Sequence, residues 1–85
     1  MNAADQPHYV YEAWMRDVCL YVGMTGNISR RLGEHRRMQA WFKAADRFAV
    51  AVYPNRAAAE LGEIDRIGAF RPANNRRFVP TERAA

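Results

Sequence analysis

The chain has 85 residues, of which 49% are hydrophobic and 26% charged, and its formal net charge is +4. This length excludes a two-domain enzyme, and the composition is that of a folded globular domain and not of a disordered chain. One cysteine and two histidines exclude an internal disulfide and a structural zinc site. The longest apolar run, Phe48–Tyr53, is far shorter than the roughly 20 residues of a membrane-spanning helix, and the first residues lack the pattern of an export signal. We therefore expect a cytoplasmic protein without a membrane partner.

The positive charge is concentrated in one short segment. Twelve of the thirteen basic residues are arginine, and residues 28–43 carry five basic residues against one acidic residue, whereas residues 1–27 carry one against three. The planar guanidinium group of arginine suits the oxygens of a phosphate. The distribution favours a nucleic-acid partner, and a solvent-exposed helix face is the simpler alternative.

The two ends of the chain are predicted to lie outside the folded domain. Residues 1–7 and 78–85 are polar or alanine-rich and each contains a proline, which is typical of a flexible arm and a flexible tail. The domain itself spans residues 8–77. Within it, the aromatic and β-branched residues of His8–Trp14 and of Cys19–Val22 predict two strands joined as a hairpin.

A helix is predicted to follow the hairpin. Gly23 and Gly26 mark the connection, and Asn27 is a suitable N-cap for a helix from Ile28 to about Met38. The run Arg47–Tyr53 then predicts a third strand.

A second helix is predicted from Arg56 to about Phe70, after Pro54 and Asn55 break the chain. The resulting order is β-β-α-β-α, an α/β (α+β) fold. Helical spacing predicts that the second helix buries Ala57, Leu61, Ile64 and Gly68. Periodicity alone does not decide whether Glu60 or Glu63 points into a site.

Four blocks of residues, taken together, match a known family pattern that no single residue would identify. They are Tyr9-Val-Tyr11, Tyr21-Val-Gly23-Met-Thr25, Asn27 to His35, and Glu63 to Asn75 with Ile67 and Pro72 between them. In order and spacing they resemble the GIY-YIG nuclease family over about residues 8–76. The resemblance implies a three-stranded antiparallel sheet flanked by helices, and cleavage of DNA phosphodiester bonds with one divalent cation, Mg²⁺ or Mn²⁺.

The resemblance also implies which residues form the active site. The catalytic residues implied are Tyr11, Tyr21, Arg31, His35, Glu63 and Asn75, with Glu63 as the metal ligand and Gly23 as the structural glycine of the second motif. Tyr9 stands where the family's first motif has a glycine. The resemblance does not distinguish Arg31 from its neighbour Arg30 as the motif arginine. It likewise does not distinguish Asn75 from Asn74 as the motif asparagine.

Phosphodiester hydrolysis requires residues of these types. One carboxylate suits Mg²⁺, which keeps much of its hydration shell. Arg31 is suited to neutralise charge on the phosphate. Tyr11 can act as the general base only if nearby positive charge stabilises its phenolate, and His35, Tyr21 or a metal-bound hydroxide are the alternatives.

Further basic residues are expected to bind nucleic acid outside the active site. These are Arg30, Arg36, Arg37 and Lys43, which would contact the DNA backbone without reading its sequence. The expected substrate is DNA that is recognised by its structure, at a branch, flap or nick, or that is cut with weak sequence specificity. The alternatives are a non-catalytic nucleic-acid-binding module, and an interaction module of a repair complex or mobile element that is active only with a partner protein. A double-strand cut by one active site per chain would require a homodimer or two successive visits.

Overall fold

The computed structural model describes residues 6–75, so the predicted tail and most of the predicted arm lie outside the described residues. Within them, no helix is long and apolar enough to cross a membrane. The elements are β1 (His8–Met15), β2 (Val18–Thr25), α1 (Ile28–Met38), α2 (Ala40–Ala44), β3 (Arg47–Tyr53) and α3 (Arg56–Phe70).

The three strands form one antiparallel sheet in the order β2-β1-β3. In the centre of the sheet, Tyr11 pairs with Gly23 on β2 and with Val50 on β3. The three-stranded antiparallel sheet with flanking helices is thereby confirmed.

The core lies on both faces of the sheet, because successive side chains of a strand point to opposite sides. On one face Val10 packs with residues of β2 and with Ile67 of α3. On the other face Ala13 packs with Leu20 and with Trp41 of α2. The helices therefore cover the sheet from two sides.

The bounds of most elements agree with the prediction, and two features differ. The second strand continues to Thr25, so Gly23 lies inside β2 and not in the connection. The short helix α2 was not predicted, because a helix of five residues is too short to show a periodic pattern.

The predicted buried stripe of α3 is wrong. The buried residues of this helix are Ala59 and Ile67, whereas Leu61 is 71% exposed and Ile64 49% exposed. Small residues decide which side of the helix approaches the sheet: a Cβ atom on Gly62 would lie 2.5 Å from the hydroxyl of Tyr53. Hydrophobic periodicity gives most weight to large apolar residues and therefore misassigns this helix.

The segment after α3 returns to the free edge of β2. Arg71 ends the helix in the left-handed conformation, at φ 48°, and its N–H donates to the carbonyl of Ile67. The N–H groups of Ala73 and Asn74 then donate to the carbonyls of Cys19 and Leu20 at 3.0 and 2.9 Å. Residues 73–75 thereby cover the edge of the sheet.

Candidate active site

Helix α1 presents Arg31 and His35 one turn apart on the side that faces the sheet. The side chain of Asn27 caps the helix by accepting from the N–H of Arg30 at 3.1 Å. His35 is buried, with 3% of its surface exposed, whereas the side chain of Arg31 is 42% exposed. Arg31 donates to Glu34 at 3.0 Å. Helix α1 therefore places a histidine in the interior and an arginine above it at the surface.

A pocket of about 300 Å³ opens beside Arg31, where α1, α3 and the edge of β2 meet. Four of the residues that the sequence motifs predict line it: Tyr21, Arg31, Glu63 and Asn75. Met24, Arg56, Glu60 and Ile64 complete the wall. Residues from three separate parts of the chain are thus brought to one concave surface.

The corrected orientation of α3 distinguishes the two glutamates. Glu63 lies midway between the buried residues Ala59 and Ile67, at i+4 spacing, and is itself half-buried. Glu60 is exposed and accepts from Arg56 at 3.1 Å. Both glutamates line the pocket, and Glu63 is the less exposed of the two.

Tyr11 and His35 form a hydrogen-bonded pair behind the pocket. The hydroxyl of Tyr11 lies 2.6 Å from Nε2 of His35, and neither residue lines the pocket. Tyr21 stands between this pair and the pocket, and its ring stacks on Trp41 with centroids 4.6 Å apart. Trp41 thereby sets the orientation of the one tyrosine ring that reaches the pocket.

The surroundings of this pair favour the neutral form of both groups. Burial raises the pKa of Tyr11 well above its usual value, and the neighbouring Tyr21 adds to this increase, while Arg31 opposes it. Burial is also the largest cause that lowers the pKa of His35, followed by the charge of Arg31, and Glu34 opposes both. At neutral pH the pair is therefore an uncharged phenol beside an uncharged imidazole.

Gly23 is required because the ring of Tyr11 crosses its α-carbon. A Cβ atom at this position would overlap Cζ and the hydroxyl oxygen of Tyr11 and would lie 2.8 Å from Cε2 of Tyr21. Both tyrosines are held by packing, so neither moves aside without cost.

Gly23→Ala is expected to lower the free energy of unfolding by roughly 1–3 kcal/mol, the usual cost of overpacking. Gly68→Ala is the matched control, because nothing lies within 4 Å of a Cβ atom at Gly68, and in a helix this change is neutral or stabilising. Urea unfolding of both variants measures the difference. Equal stability of the two would contradict the steric role of Gly23.

Asn75 binds the backbone of the edge strand through both ends of its amide. Its Oδ1 accepts from the N–H of Val22, and its Nδ2 donates to the carbonyl of Val22, each at 2.8 Å. Val22 lies between Tyr21 and Gly23. Asn75 therefore holds the part of β2 that carries Tyr21, whereas Asn74 binds Leu20 and does not line the pocket.

The four outer basic residues lie outside the pocket. Arg30 is exposed and donates to Glu34 at 2.7 Å, so Glu34 accepts from both Arg30 and Arg31. Arg36, Arg37 and Lys43 are exposed at the end of α1 and on α2.

Sequence reasoning missed the contributions of Arg56 and Trp41. Helical spacing contains a signal for Arg56, since it lies seven residues before Glu63 and hence on the same side of α3. No comparable signal exists for Trp41, because its contact with Tyr21 depends on how α2 folds back on the sheet.

The donor groups of the pocket fit a hydrated divalent cation. Among residues 6–75 no group of three or more His, Cys, Asp or Glu side chains could enclose a metal ion. Glu63 and Glu60 nevertheless give the pocket two carboxylates, and its volume leaves room for water ligands. Mg²⁺ binds in this way, through one or two carboxylates and several waters.

Comparison with solved structures finds the same fold in a known nuclease domain. The match is a crystal structure of the GIY-YIG N-terminal endonuclease domain of UvrC from Thermotoga maritima, an asparagine-to-alanine point mutant bound to its catalytic divalent cation. The two structures agree with a TM-score of 0.73 at 25% sequence identity, over 88% of each chain. Neither the models of known protein families nor the curated proteins give a match to the sequence.

The chain therefore has the fold of a GIY-YIG endonuclease domain, and the resemblance inferred from the four sequence blocks is confirmed. This fold supports nuclease function in general.

Proposed function

We propose that this protein is an endonuclease that hydrolyses phosphodiester bonds of DNA with one divalent cation, Mg²⁺ or Mn²⁺. The observation that carries the proposal is the common pocket of Tyr21, Arg31, Glu63 and Asn75. The related fold of an endonuclease domain that binds a catalytic divalent cation supports it further.

Glu63 and Arg31 have complementary tasks in this proposal. A divalent cation held by Glu63 would neutralise charge on the phosphate and leaving oxygen and would acidify a bound water. Arg31 forks onto the scissile phosphate, after exchanging its ion pair with Glu34 for the substrate. Since that ion pair is partly exposed to solvent, breaking it costs little compared with breaking a buried pair.

Tyr21 is the phenol best placed to accept the proton of the attacking water, because it lines the pocket and Tyr11 does not. Tyr11 and His35 lie directly behind Tyr21, and the Tyr11 hydroxyl lies within hydrogen-bonding distance of Nε2 of His35. A neutral phenol accepts a proton only by giving up its own, so Tyr21 would pass its hydroxyl proton to the Tyr11 hydroxyl, and Tyr11 would pass its own proton to Nε2 of His35, which would become an imidazolium. Because burial raises the pKa of Tyr11, we assign Tyr11 a positioning and relay role instead of that of the first base.

Replacing Tyr21 with phenylalanine is expected to slow cleavage about 30-fold, below the usual range for acid–base groups because solvent remains an alternative proton acceptor in an open pocket. Tyr11→Phe, which also removes only a hydroxyl, is expected to slow it by no more than about tenfold. Single-turnover cleavage rates of the two variants give the comparison. The reverse order would make Tyr11 the base.

The exposed basic residues Arg36, Arg37 and Lys43 are assigned to the DNA backbone. Replacing Arg36 and Arg37 together with glutamine is expected to reduce the slope of log affinity against log salt by about two units, since each phosphate contact releases about one counterion. Arg47→Gln is the control, because Arg47 lies at the start of β3 and contacts the ring of Trp14. An unchanged slope in the double variant would remove these residues from the interface.

The endonuclease proposal is tested by cleavage of supercoiled plasmid and of paired, nicked, flap and branched oligonucleotides. Cleavage with Mg²⁺ or Mn²⁺ that stops on adding a chelator is the expected result. No cleavage of any substrate, together with salt-sensitive DNA binding, would instead identify a non-catalytic binding module. The exposed basic side chains of α1 and α2 would serve that second function equally well.

A further inference from the structure

Helix α3 has a second apolar face that the fold leaves exposed. Leu61 and Ile64 are 71% and 49% exposed, and an exposed apolar patch rimmed by polar residues is typical of an interaction surface. Phe70, on the same helix, differs because it packs edge-on against Trp14 at 5.0 Å. Leu61 and Ile64 are three residues apart and hence neighbours on the helix surface.

This apolar pair forms a ridge along one side of the candidate active site. Ile64 follows Glu63 directly and lines the same pocket as Arg31 and Glu63. Leu61 and Ile64 also line an open depression on the other side of α3, together with Tyr53 and Arg66. The ridge therefore separates the pocket from this depression.

The charge next to the ridge indicates what covers it. Arg31 and Arg56 line the pocket beside Ile64, and their guanidinium groups can bind the oxygens of a phosphate, while Glu60 and Glu63 line the same pocket. A phosphate held in the pocket brings the adjoining nucleotide over the ridge. Leucine and isoleucine side chains make no stabilising contact with phosphate or sugar hydroxyls, but they do make one when they pack against the apolar face of a base. In paired DNA those faces are covered by stacking.

We propose that Leu61 and Ile64 form an apolar wedge that contacts an unstacked base next to the scissile phosphate. The proposal rests on the endonuclease function above and specifies its substrate class. Unstacking a base costs least where the base is already unpaired, at a flap, gap or mismatch. The wedge therefore makes DNA with an unpaired base beside the cleaved bond the preferred substrate, and it does so without any sequence-specific contact.

The test measures binding in the presence of chelator, so that it does not depend on cleavage. Fluorescence anisotropy gives the affinity for a fully paired duplex and for the same duplex with one unpaired nucleotide. The wild type is expected to bind the second about tenfold more tightly, the size of one apolar or stacking contact to a base. The double variant Leu61→Gln with Ile64→Gln is expected to lose this preference while its affinity for the paired duplex stays within about twofold.

A matched control removes two exposed apolar side chains elsewhere. Met38→Gln with Val52→Thr changes residues that are 75% and 66% exposed and do not line the pocket, and this variant should keep the preference. Since all four positions are exposed, each variant should unfold at the same urea concentration as the wild type. The unpaired position can also carry 2-aminopurine, whose fluorescence should change on binding to the wild type and much less on binding to the wedge variant.

Three results would overturn the wedge. The first is equal affinity of the wild type for both duplexes, and the second is an undiminished preference in the wedge variant. The third is an equal loss of both affinities together with a lower molecular mass in sedimentation, which would make the ridge a protein–protein interface. Metal-dependent cleavage by the wild type alongside any of these would leave the endonuclease function intact. Failure of the wild type to cleave would overturn that function without altering the binding comparison.

Discussion

Replacing Glu63 with glutamine is expected to lower the rate of DNA cleavage about 1000-fold, the largest effect expected of any single substitution in the pocket. Glutamine has nearly the shape of glutamate but lacks the negative charge that a divalent cation requires. The half-buried position of Glu63 between Ala59 and Ile67 allows the change without a change in helix packing. Cleavage of plasmid over a range of Mg²⁺ concentrations measures both the rate and the metal requirement.

Glu60→Gln is the control for this substitution, because it removes the same charge from the same helix and the same pocket. Glu60 is exposed and ion-paired with Arg56, so we expect its loss to slow cleavage by less than about tenfold. Equal losses in the two variants would mean that the pocket requires both carboxylates or only their summed charge. A larger loss for Glu60→Gln would transfer the metal-binding role to Glu60.

Replacing Arg31 with lysine is expected to slow cleavage by between about 100-fold and 1000-fold, because an ammonium group cannot donate two parallel hydrogen bonds to a phosphate. Arg31 lines the pocket, and its charge acts on both Tyr11 and His35. Affinity for DNA should fall much less than the rate, because the positive charge is retained. Single-turnover kinetics with separate binding measurements distinguish the two effects.

Arg30→Lys is the matched control, since Arg30 precedes Arg31, donates to the same Glu34 and does not line the pocket. Its rate should remain within about threefold of the wild type, as for an exposed ion-paired residue. If Arg30→Lys instead showed the large loss, the arginine of the helix motif would be Arg30.

Local sequence signals were sufficient for most of the fold. Asn27 and Asn55 begin their helices because their side chains accept hydrogen bonds from backbone N–H groups three residues on. The third strand and the second helix were predicted with the bounds that the structure has. These features depend on contacts between residues close in the chain, and so a short stretch of sequence contains the whole signal.

Local sequence signals do not predict which side of α3 faces the sheet. Its most regular apolar pattern includes Leu61 and Ile64, yet the helix buries Ala59 and Ile67. The side of α3 that packs on the sheet depends on how closely the helix and the sheet can approach each other. At Gly62 the space is so small that a Cβ atom would overlap the hydroxyl of Tyr53. That orientation also decides which of the two glutamates is the less exposed.

The sequence by itself determined the three strands and the two longer helices, their order and the residue types that identify the nuclease fold. Only the tertiary structure decided that Tyr21 reaches the pocket while Tyr11 lies behind it with His35, and that Asn75 holds the edge strand. The physical reason is the range of the interactions. Caps, turns and strand patterns act over a few residues, whereas the pocket joins side chains up to 54 positions apart, from Tyr21 to Asn75, through packing across the sheet.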